Sequence, residues 1–368
     1  SICILSLVAI YFLEIPRYLI SGMDGRNLYL TLLNASSFIT FWLILESIYK
    51  RIGSNYDAIK KIINIYVIFS IIIVIVSVSV FLLIKLKIID YLNYPIDYGI
   101  SKYIDNNVDT IGSRYYAPLF ITIVIDSARG MNFLTDTALF CGISYEPHIA
   151  TYFLTPALFL MWGIDKISRR KKIVFTVFFV IFMLTASSVT NFLVLLIIFT
   201  FIAIKKFFLE KKFIGFFLIV SIIIFIYLVV NTDLLSSIGL DFVITKIISQ
   251  GGSADYSINF LEHVLNPKSI FGDGVFNVPY PYTNVDDIGF IFMILIVMFY
   301  VSAYITSIKA IFNKNTFTYY VGLTCLYFFL HSLKIVQMIF IYPFTVYILF
   351  VLFKSLTTKD KIHENKDA

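Results

Sequence analysis

Long apolar blocks alternate with short polar segments along the chain, and each block is about as long as a bilayer is thick. In lipid, each block must satisfy its own backbone hydrogen bonds, which favours helices over isolated strands. We therefore predict an all-α fold, a polytopic helical membrane protein with a single integral membrane domain over residues 1–368. The pattern gives about ten candidate transmembrane helices, over residues 2–15, 28–49, 62–86, 147–164, 173–187, 190–204, 214–230, 288–310, 317–332 and 335–353.

Two of these blocks are short for a bilayer of about 30 Å. Residues 173–187 and 190–204 are separated only by polar residues of the SSVTN stretch. The pattern is compatible with two separate spans or with one re-entrant hairpin, and it does not decide between them.

Composition supports the membrane prediction. Hydrophobic residues make up 59% of the chain, charged residues make up 14%, and the mean hydropathy is +0.89. Soluble domains have about 45–50% apolar and about 25% charged residues. The three cysteines, Cys3, Cys141 and Cys325, are far apart in the chain and predict neither a disulfide framework nor a thiolate metal site. We expect no metal and no cofactor.

The basic residues gather in alternate connections, as expected when those connections are cytoplasmic. Most Lys and Arg residues then fall inside if the C-terminal tail is cytoplasmic, in segments 50–61, 166–172, 205–212 and 309–314 and in the tail itself. The net charge of +6 is thus mostly a topology signal. Because these residues are dispersed among short turns, we expect no nucleic-acid partner.

This topology leaves two long loops outside, over about residues 87–146 and 231–287. They contain too many aromatic and branched residues for disorder, so we expect them to fold onto the helical bundle. Within the first loop, residues 116–126 (YAPLFITIVID) are too few to cross a membrane and are flanked by Arg114 and Arg129. That pattern predicts an interfacial or re-entrant helix with both arginines at the outer surface.

Five short motifs follow one another in a distinctive order: GISYEPHIATYFLTPALFL, LTASSVTNFL, NPKSIFGDGVF, VDDIGFIFMILIVMFY and HSLK. Over residues 114–334 this order resembles the O-antigen polymerase and O-antigen ligase superfamily of bacterial surface-polysaccharide assembly. The resemblance implies a GT-C-like fold in the bacterial inner membrane, multi-pass, with the active site at the outer face. It implies a metal-independent glycosyltransferase whose substrate is an undecaprenyl-pyrophosphate-linked oligosaccharide.

Such an enzyme must stabilise the departing pyrophosphate and activate an acceptor hydroxyl. Arginine suits the first task because its planar guanidinium pairs with phosphate oxygens, and a carboxylate or histidine suits the second. The candidate substrate-binding residues are Arg114, Arg129, Lys268 and Lys334, and the candidate catalytic residues are Glu146, His148 and His331. Family members commonly carry an arginine in the second outside loop, whereas this chain has Lys246 and Lys268 but no arginine there.

Each candidate also has a structural interpretation. Glu146 and His148 can stabilise the start of a helix, since Pro147 suits a first helical position and a carboxylate is favoured near a helix N-terminus. Arg114 and Arg129 can anchor an interfacial segment by snorkelling, and His331 and Lys334 can do so at the end of a span.

Three functions fit the resemblance. The first is a polymerase that joins oligosaccharide repeat units into O-antigen or capsule-type polysaccharide, with a chain-length regulator as a possible partner besides membrane lipids. The second is an O-antigen ligase, which shares the donor chemistry and differs in the acceptor. The third is a lipid-linked oligosaccharide flippase or transporter. A flippase should place charges within its spans and have repeated halves, and this sequence has neither feature.

Overall fold

The structure is a computed structural model. It describes residues 56–96, 114–125, 138–210, 290–333 and 342–364, and the single helical positions 43, 46, 47, 50 and 220. Contacts within the chain divide it into two compact units. The first unit comprises Ser1–Lys61, Asp255–Ala310 and Phe328–Ala368, and the second comprises Ile62–Ala254 and Ile311–Tyr327.

Most of the described residues are helical, which confirms the helical character of the prediction. Within these ranges the α-helices are α1 (Tyr56–Lys85), α2 (Pro147–Gly163), α3 (Arg169–Ala186), α4 (Val189–Ile204), α5 (Phe290–Ile311), α6 (Thr316–Ser332) and α7 (Pro343–Glu364). A π-helical segment, Lys205–Leu209, continues α4. Short 3-10 segments cover Tyr91–Asn93 and Pro118–Phe120.

Among the described residues, two helices are long and apolar enough to cross a membrane: Asp57–Lys85 and Val189–Phe207. Val297–Ile311 and Phe344–Leu356 are shorter apolar helices. The predicted spans 2–15, 28–49 and 214–230 lie almost entirely outside the described residues, and the second outside loop, 231–287, lies wholly outside them.

Helix α1 presents a row of large apolar side chains on its surface. Ile65, Ile68, Phe69 and Ile72 follow the helical spacing of three and four residues, and each is exposed. A soluble protein rarely exposes so continuous an apolar stripe. The opposite side of the helix, which includes Val67 and Val74, is buried. This division is the one expected of a helix that faces lipid on one side and protein on the other.

Part of the predicted first outside loop, residues 87–146, folds as a small antiparallel sheet. Its strands are β1 (Pro95–Ile96), β2 (Arg114–Tyr116), β3 (Ile123–Ile125) and β4 (Ala138–Phe140), paired in the order β1-β2-β3-β4. The register pairs Tyr116 with Pro95 and with Ile123, and Ile123 also with Phe140.

The prediction of an interfacial or re-entrant helix over 116–126 is therefore wrong. Its described residues form the end of β2, a 3-10 turn and β3 instead. The physical reason lies in residues 121–125, ITIVI, which are all β-branched and favour extended backbone once neighbouring strands supply hydrogen bonds. The all-α class thus holds for most of the described residues but not for this sheet.

The sheet packs against the C-terminal half of α1. Its buried face, with Tyr116, Ile123 and Phe140, forms one cluster with Val80 and Phe81. The rings of Phe81 and Phe140 meet edge to face, with centroids 5.6 Å apart at 87°. Aromatic and branched side chains therefore fix the sheet on the helix.

Helices α3 and α4 are joined by only two residues, Ser187 and Ser188. Ser187 adopts the left-handed conformation, with φ 47° and ψ 41°, and ends α3. The Ser188 hydroxyl accepts a hydrogen bond from the Asn191 backbone N–H at 3.4 Å and caps α4. The structure thus shows two separate helices joined by a two-residue turn, an arrangement that fits two spans and a re-entrant hairpin equally.

In the first unit, aromatic and hydroxyl groups join α5 to the end of α6. The Tyr300 and Ser332 hydroxyls are 2.9 Å apart, and the Tyr304 hydroxyl donates to the Phe329 carbonyl at 3.2 Å. The Phe299 and Phe329 rings pack edge to face at 5.5 Å.

Candidate active site

Glu146 and His148 are in side-chain contact at the start of α2. Glu146 Oε2 lies 3.0 Å from His148 Nδ1. The backbone of Glu146 is extended, with φ −137° and ψ 144°, and Pro147 then occupies the first helical position. The Glu146 side chain makes no capping hydrogen bond to the helix backbone. Hydrogen-bond capping therefore does not account for this carboxylate, which is directed to the imidazole instead.

The pair is shielded from solvent to different degrees. The side chain of His148 is 8% exposed and that of Glu146 is 24% exposed. With Nδ1 held by a carboxylate, Nε2 is the ring nitrogen that can accept a proton. When Nε2 accepts a proton, the ring becomes an imidazolium, and the neighbouring carboxylate stabilises its positive charge. The arrangement can serve as a general base with its orienting partner.

The next turn of α2 is fixed by hydrogen bonds of Thr151. Its hydroxyl lies 3.1 Å from both the Pro147 and His148 carbonyls. Every residue of α2 except Phe153, Trp162 and Gly163 is buried. The hydroxyl of Tyr66 on α1 donates to the Phe153 carbonyl. These contacts leave the turn that carries His148 little freedom to move.

A buried polar network connects α2 to α4 and α6. The Tyr327 hydroxyl lies 3.0 Å from the Thr151 carbonyl and 2.6 Å from Asn191 Oδ1. The Thr155 hydroxyl lies 3.1 Å from the same Asn191 oxygen. All four residues have no exposed surface. In an apolar bundle such groups are costly unless they bond to one another, so their pairing fixes how the three helices meet.

The number of hydrogens in this network determines the orientation of the Asn191 amide. A phenol carries one hydrogen and cannot donate to the Thr151 carbonyl and to Asn191 Oδ1 together. As placed, Asn191 Nδ2 has no hydrogen-bond partner within the described ranges. Exchanging Nδ2 and Oδ1 lets the amide donate to Tyr327 and to Thr155, while Tyr327 donates to Thr151. We assign that orientation.

The opposite end of α2 is held by a lysine. Lys172 Nζ donates to the Trp162 carbonyl at 3.0 Å, and the Trp162 indole donates to the Thr176 hydroxyl at 3.2 Å. Burial lowers the pKa of Lys172, and the nearby Asp165 acts in the opposite direction. A cation at a helix C-terminus is favourable because the last carbonyls carry partial negative charge.

A second lysine joins the end of α4 to the start of α6. Lys205 Nζ donates to the Asn313 carbonyl at 3.2 Å and lies 3.9 Å from the centre of the Tyr319 ring. Both Lys172 and Lys205 belong to basic segments that the sequence assigned to cytoplasmic turns. They also have a packing role that charge counting does not reveal.

Of the predicted site residues, the structure brings together Glu146 and His148. Arg114 begins β2, where its backbone pairs with Ile125. His331 is buried in the last turn of α6, in the first unit. The other three candidates, Arg129, Lys268 and Lys334, lie outside the described residues.

The sequence analysis did not identify Thr151, Thr155, Asn191 or Tyr327. The available signal was the presence of hydrogen-bonding side chains within apolar runs, because polar groups at such positions are uncommon and usually paired. Asn191 belongs to the SSVTN stretch, which sequence reasoning treated only as a turn.

No family model, curated protein or solved structure matches this chain.

Proposed function

We propose that the protein is a glycosyltransferase that polymerises undecaprenyl-pyrophosphate-linked oligosaccharide repeat units into O-antigen or capsule-type polysaccharide. The observation that carries the proposal is the 3.0 Å contact between Glu146 and His148 at the start of the buried helix α2. It supplies a carboxylate-oriented base inside an apolar protein, and the order of motifs around it supplies the substrate class.

In the proposed reaction, His148 takes the proton of an acceptor sugar hydroxyl, and Glu146 stabilises the resulting imidazolium. The acceptor oxygen forms a bond to the anomeric carbon of the donor sugar. The bond from that carbon to the carrier pyrophosphate breaks, and undecaprenyl pyrophosphate leaves with the electron pair. Arg114 and Arg129 are the proposed partners of its negative charge, aided by Lys268 and Lys334. His331 is retained as a second candidate base.

The proposal places the chain in the bacterial inner membrane as a multi-pass, GT-C-like protein of about ten spans, with a cytoplasmic C-terminus. Two observations support this placement. The exposed stripe of α1, from Ile65 to Ile72, is apolar. The basic segments gather in alternate connections, as the positive-inside rule requires.

The test is the carbohydrate profile of a strain that lacks the protein. Loss of a polymerase should leave single repeat units attached to lipid A core, whereas loss of a ligase should leave unattached polymer on the carrier. Loss of a flippase should leave single lipid-linked units on the cytoplasmic side. Only the first result supports the proposal.

A reconstituted assay separates direct catalysis from an indirect effect. Purified protein in vesicles with the lipid-linked repeat unit should give a ladder of products and release undecaprenyl pyrophosphate. The matched control is the Glu146→Gln protein, which keeps the size of the side chain but removes its charge. Equal product from both proteins would argue against Glu146 as the orienting carboxylate.

A further inference from the structure

The sheet lies alongside α1 rather than beyond its end. Its buried cluster includes Val80 and Phe81, which precede the last helical residue, Lys85, by five and four positions. At about 1.5 Å per residue, these positions are about 6–8 Å below the end of the helix. The turn after β4 reaches further along α1: a methyl group at Gly142 would lie 3.5 Å from Ile73 Cγ2 and 3.4 Å from Leu154 Cδ1.

The exposed surface of α1 is uncharged from Ile65 to Leu82, and charge begins at the end of the helix, where Lys85 and Lys87 are exposed. Leu82, Leu86 and Ile88 are all exposed. Lysines at the end of an apolar helix extend their ammonium groups toward the lipid headgroups, and so they mark the boundary of the membrane near Lys85. The lipid-facing stripe of α1 therefore extends to the level at which the sheet is packed.

The turn between β2 and β3 exposes two large apolar side chains at this level. Leu119 is 55% exposed and Phe120 is 89% exposed. Both have left-handed backbone, with φ 51° at Leu119 and φ 64° at Phe120. This backbone is the usual one for a two-residue hairpin turn, closed here by the Ile121 N–H, which donates to the Pro118 carbonyl at 3.0 Å, and glycine or asparagine usually fills its central positions. The hairpin explains the backbone of the turn, but it does not require large apolar side chains, and here both of them are exposed.

A sheet can lie at this level only if its backbone groups are paired. The β3–β4 pairing continues beyond the strands, since the Cys141 N–H donates to the Thr122 carbonyl at 2.8 Å and the Thr122 N–H donates to the Gly142 carbonyl at 2.7 Å. All three residues of β4 are buried. The β1–β2 pairing continues through the Ala117 N–H, which donates to the Tyr94 carbonyl at 2.9 Å.

We propose that this sheet is set into the outer leaflet of the membrane and that Leu119 and Phe120 contact the acyl chains of its lipids. The depth inferred from Val80 and Phe81 agrees with the roughly 5–10 Å to which interfacial anchors enter a bilayer. Charged groups are absent from the turn, residues 117–122 (APLFIT), so that its side chains can enter lipid without burying a charge. The inference rests on the proposed membrane placement but not on the proposed enzymatic reaction.

The test is spin-label depth measurement on the full chain in vesicles of phosphatidylethanolamine and phosphatidylglycerol. A nitroxide is attached in turn to Phe120→Cys, to Ile72→Cys and to Tyr94→Cys, in a chain that also carries Cys3→Ser. Cys141 and Cys325 are buried, and a chain without an introduced cysteine, treated with the same nitroxide reagent, corrects for any labelling of them. All three introduced sites are exposed, so that the substitutions should not disturb folding.

At Phe120 we expect collisions with oxygen to exceed collisions with a water-soluble nickel chelate by at least tenfold. Ile72 should be more deeply embedded than Phe120, and Tyr94, whose carbonyl accepts from the Ala117 N–H beside the turn, should be the least deeply embedded of the three. Nickel access at Phe120 would show that the turn is in water. Low access to both reagents would show that protein covers it, either a second copy or another partner. Either result overturns the proposal.

The Ile72 label distinguishes failure of the membrane placement from failure of the anchoring role of the sheet. If Ile72 is accessible to nickel, α1 does not face lipid and the membrane placement itself is wrong. If Ile72 is in lipid and Phe120 is not, the placement stands and only the anchoring role of the sheet fails.

Discussion

The phenol of Tyr327 on α6 lies 2.6 Å from the amide of Asn191 on α4, and neither side chain has any exposed surface. Tyr327 also reaches the carbonyl of Thr151, whose hydroxyl bonds to the carbonyl of His148. One tyrosine thus connects two neighbouring helices to the turn that carries the candidate base. Its removal should affect the position of His148 as well as the stability of the bundle.

Tyr327→Phe removes one hydroxyl and leaves buried polar groups without their partner. We expect a loss of about 1–3 kcal/mol in unfolding free energy, measured by denaturant unfolding in mixed micelles. The control is Tyr94→Phe, at an exposed tyrosine, which should leave stability unchanged.

The same pair can be tested for coupling. If Tyr327 and Asn191 act together, the double variant Tyr327→Phe, Asn191→Ala should lose less stability than the sum of the two single variants, by about 0.5–3 kcal/mol. Additive losses would mean that the 2.6 Å contact contributes little.

Glu146→Gln and His148→Asn distinguish catalysis from helix stabilisation. If the pair only stabilises the start of α2, each variant should lose at most about 1 kcal/mol and retain activity. If His148 is the base, product formation should fall by about 10²- to 10⁴-fold at normal protein level. His331→Ala should also be impaired if its imidazole takes part. Polymer of normal amount and length from all three variants would place the active site elsewhere in the chain.

Arg114→Ala should abolish polymer while membrane insertion remains normal, because the guanidinium is the proposed partner of the carrier pyrophosphate. Arg114→Lys should restore activity only in part, since lysine lacks the planar fork that binds two oxygens. The same pair of variants applies to Arg129. Polymer length on a gel and protein level on an immunoblot provide the two readouts. Full activity in both alanine variants would reduce these arginines to interfacial anchors.

The topology predicts opposite labelling of two exposed positions in intact cells. Lys171→Cys belongs to the basic segment 166–172 and should react only with a membrane-permeant thiol reagent. Tyr94→Cys belongs to the first outside loop and should react with an impermeant one once the outer membrane is permeabilised. The predicted outside positions Lys102 and Lys268 should behave like Tyr94. Labelling of Lys268→Cys only from the cytoplasm would overturn the scheme.

The hydropathy pattern predicted the bounds of two helices of the second unit to within a residue. Residues 147–164 and 190–204 correspond to α2 (Pro147–Gly163) and α4 (Val189–Ile204). α3 begins at Arg169, earlier than predicted, because basic side chains at a helix end can extend toward water without ending the helix. The sheet escaped prediction because its described strands have two or three residues each and depend on pairing between segments separated in sequence.

The candidate site was likewise predictable only where its contacts are between residues close together in the sequence. Glu146 and His148 are two positions apart, so that their proximity follows from local sequence. Tyr327 and Asn191 are 136 positions apart, and only the fold brings them together. The left-handed turns at Leu119 and Phe120 carry no glycine or asparagine that would have indicated them.

The shielding of His148 bears on a choice that every glycosyltransferase must make between its acceptor and water. Water is present at about 55 M in the bulk, so an open base would direct the donor toward wasteful hydrolysis. If His148 is the proposed base, its side chain, which is 8% exposed, meets few water molecules, and an acceptor hydroxyl carried in by its own sugar contacts has the advantage. Substitutions that loosen the start of α2, such as Thr151→Val, should therefore raise the ratio of free reducing ends to polymer before they lower total turnover of the donor.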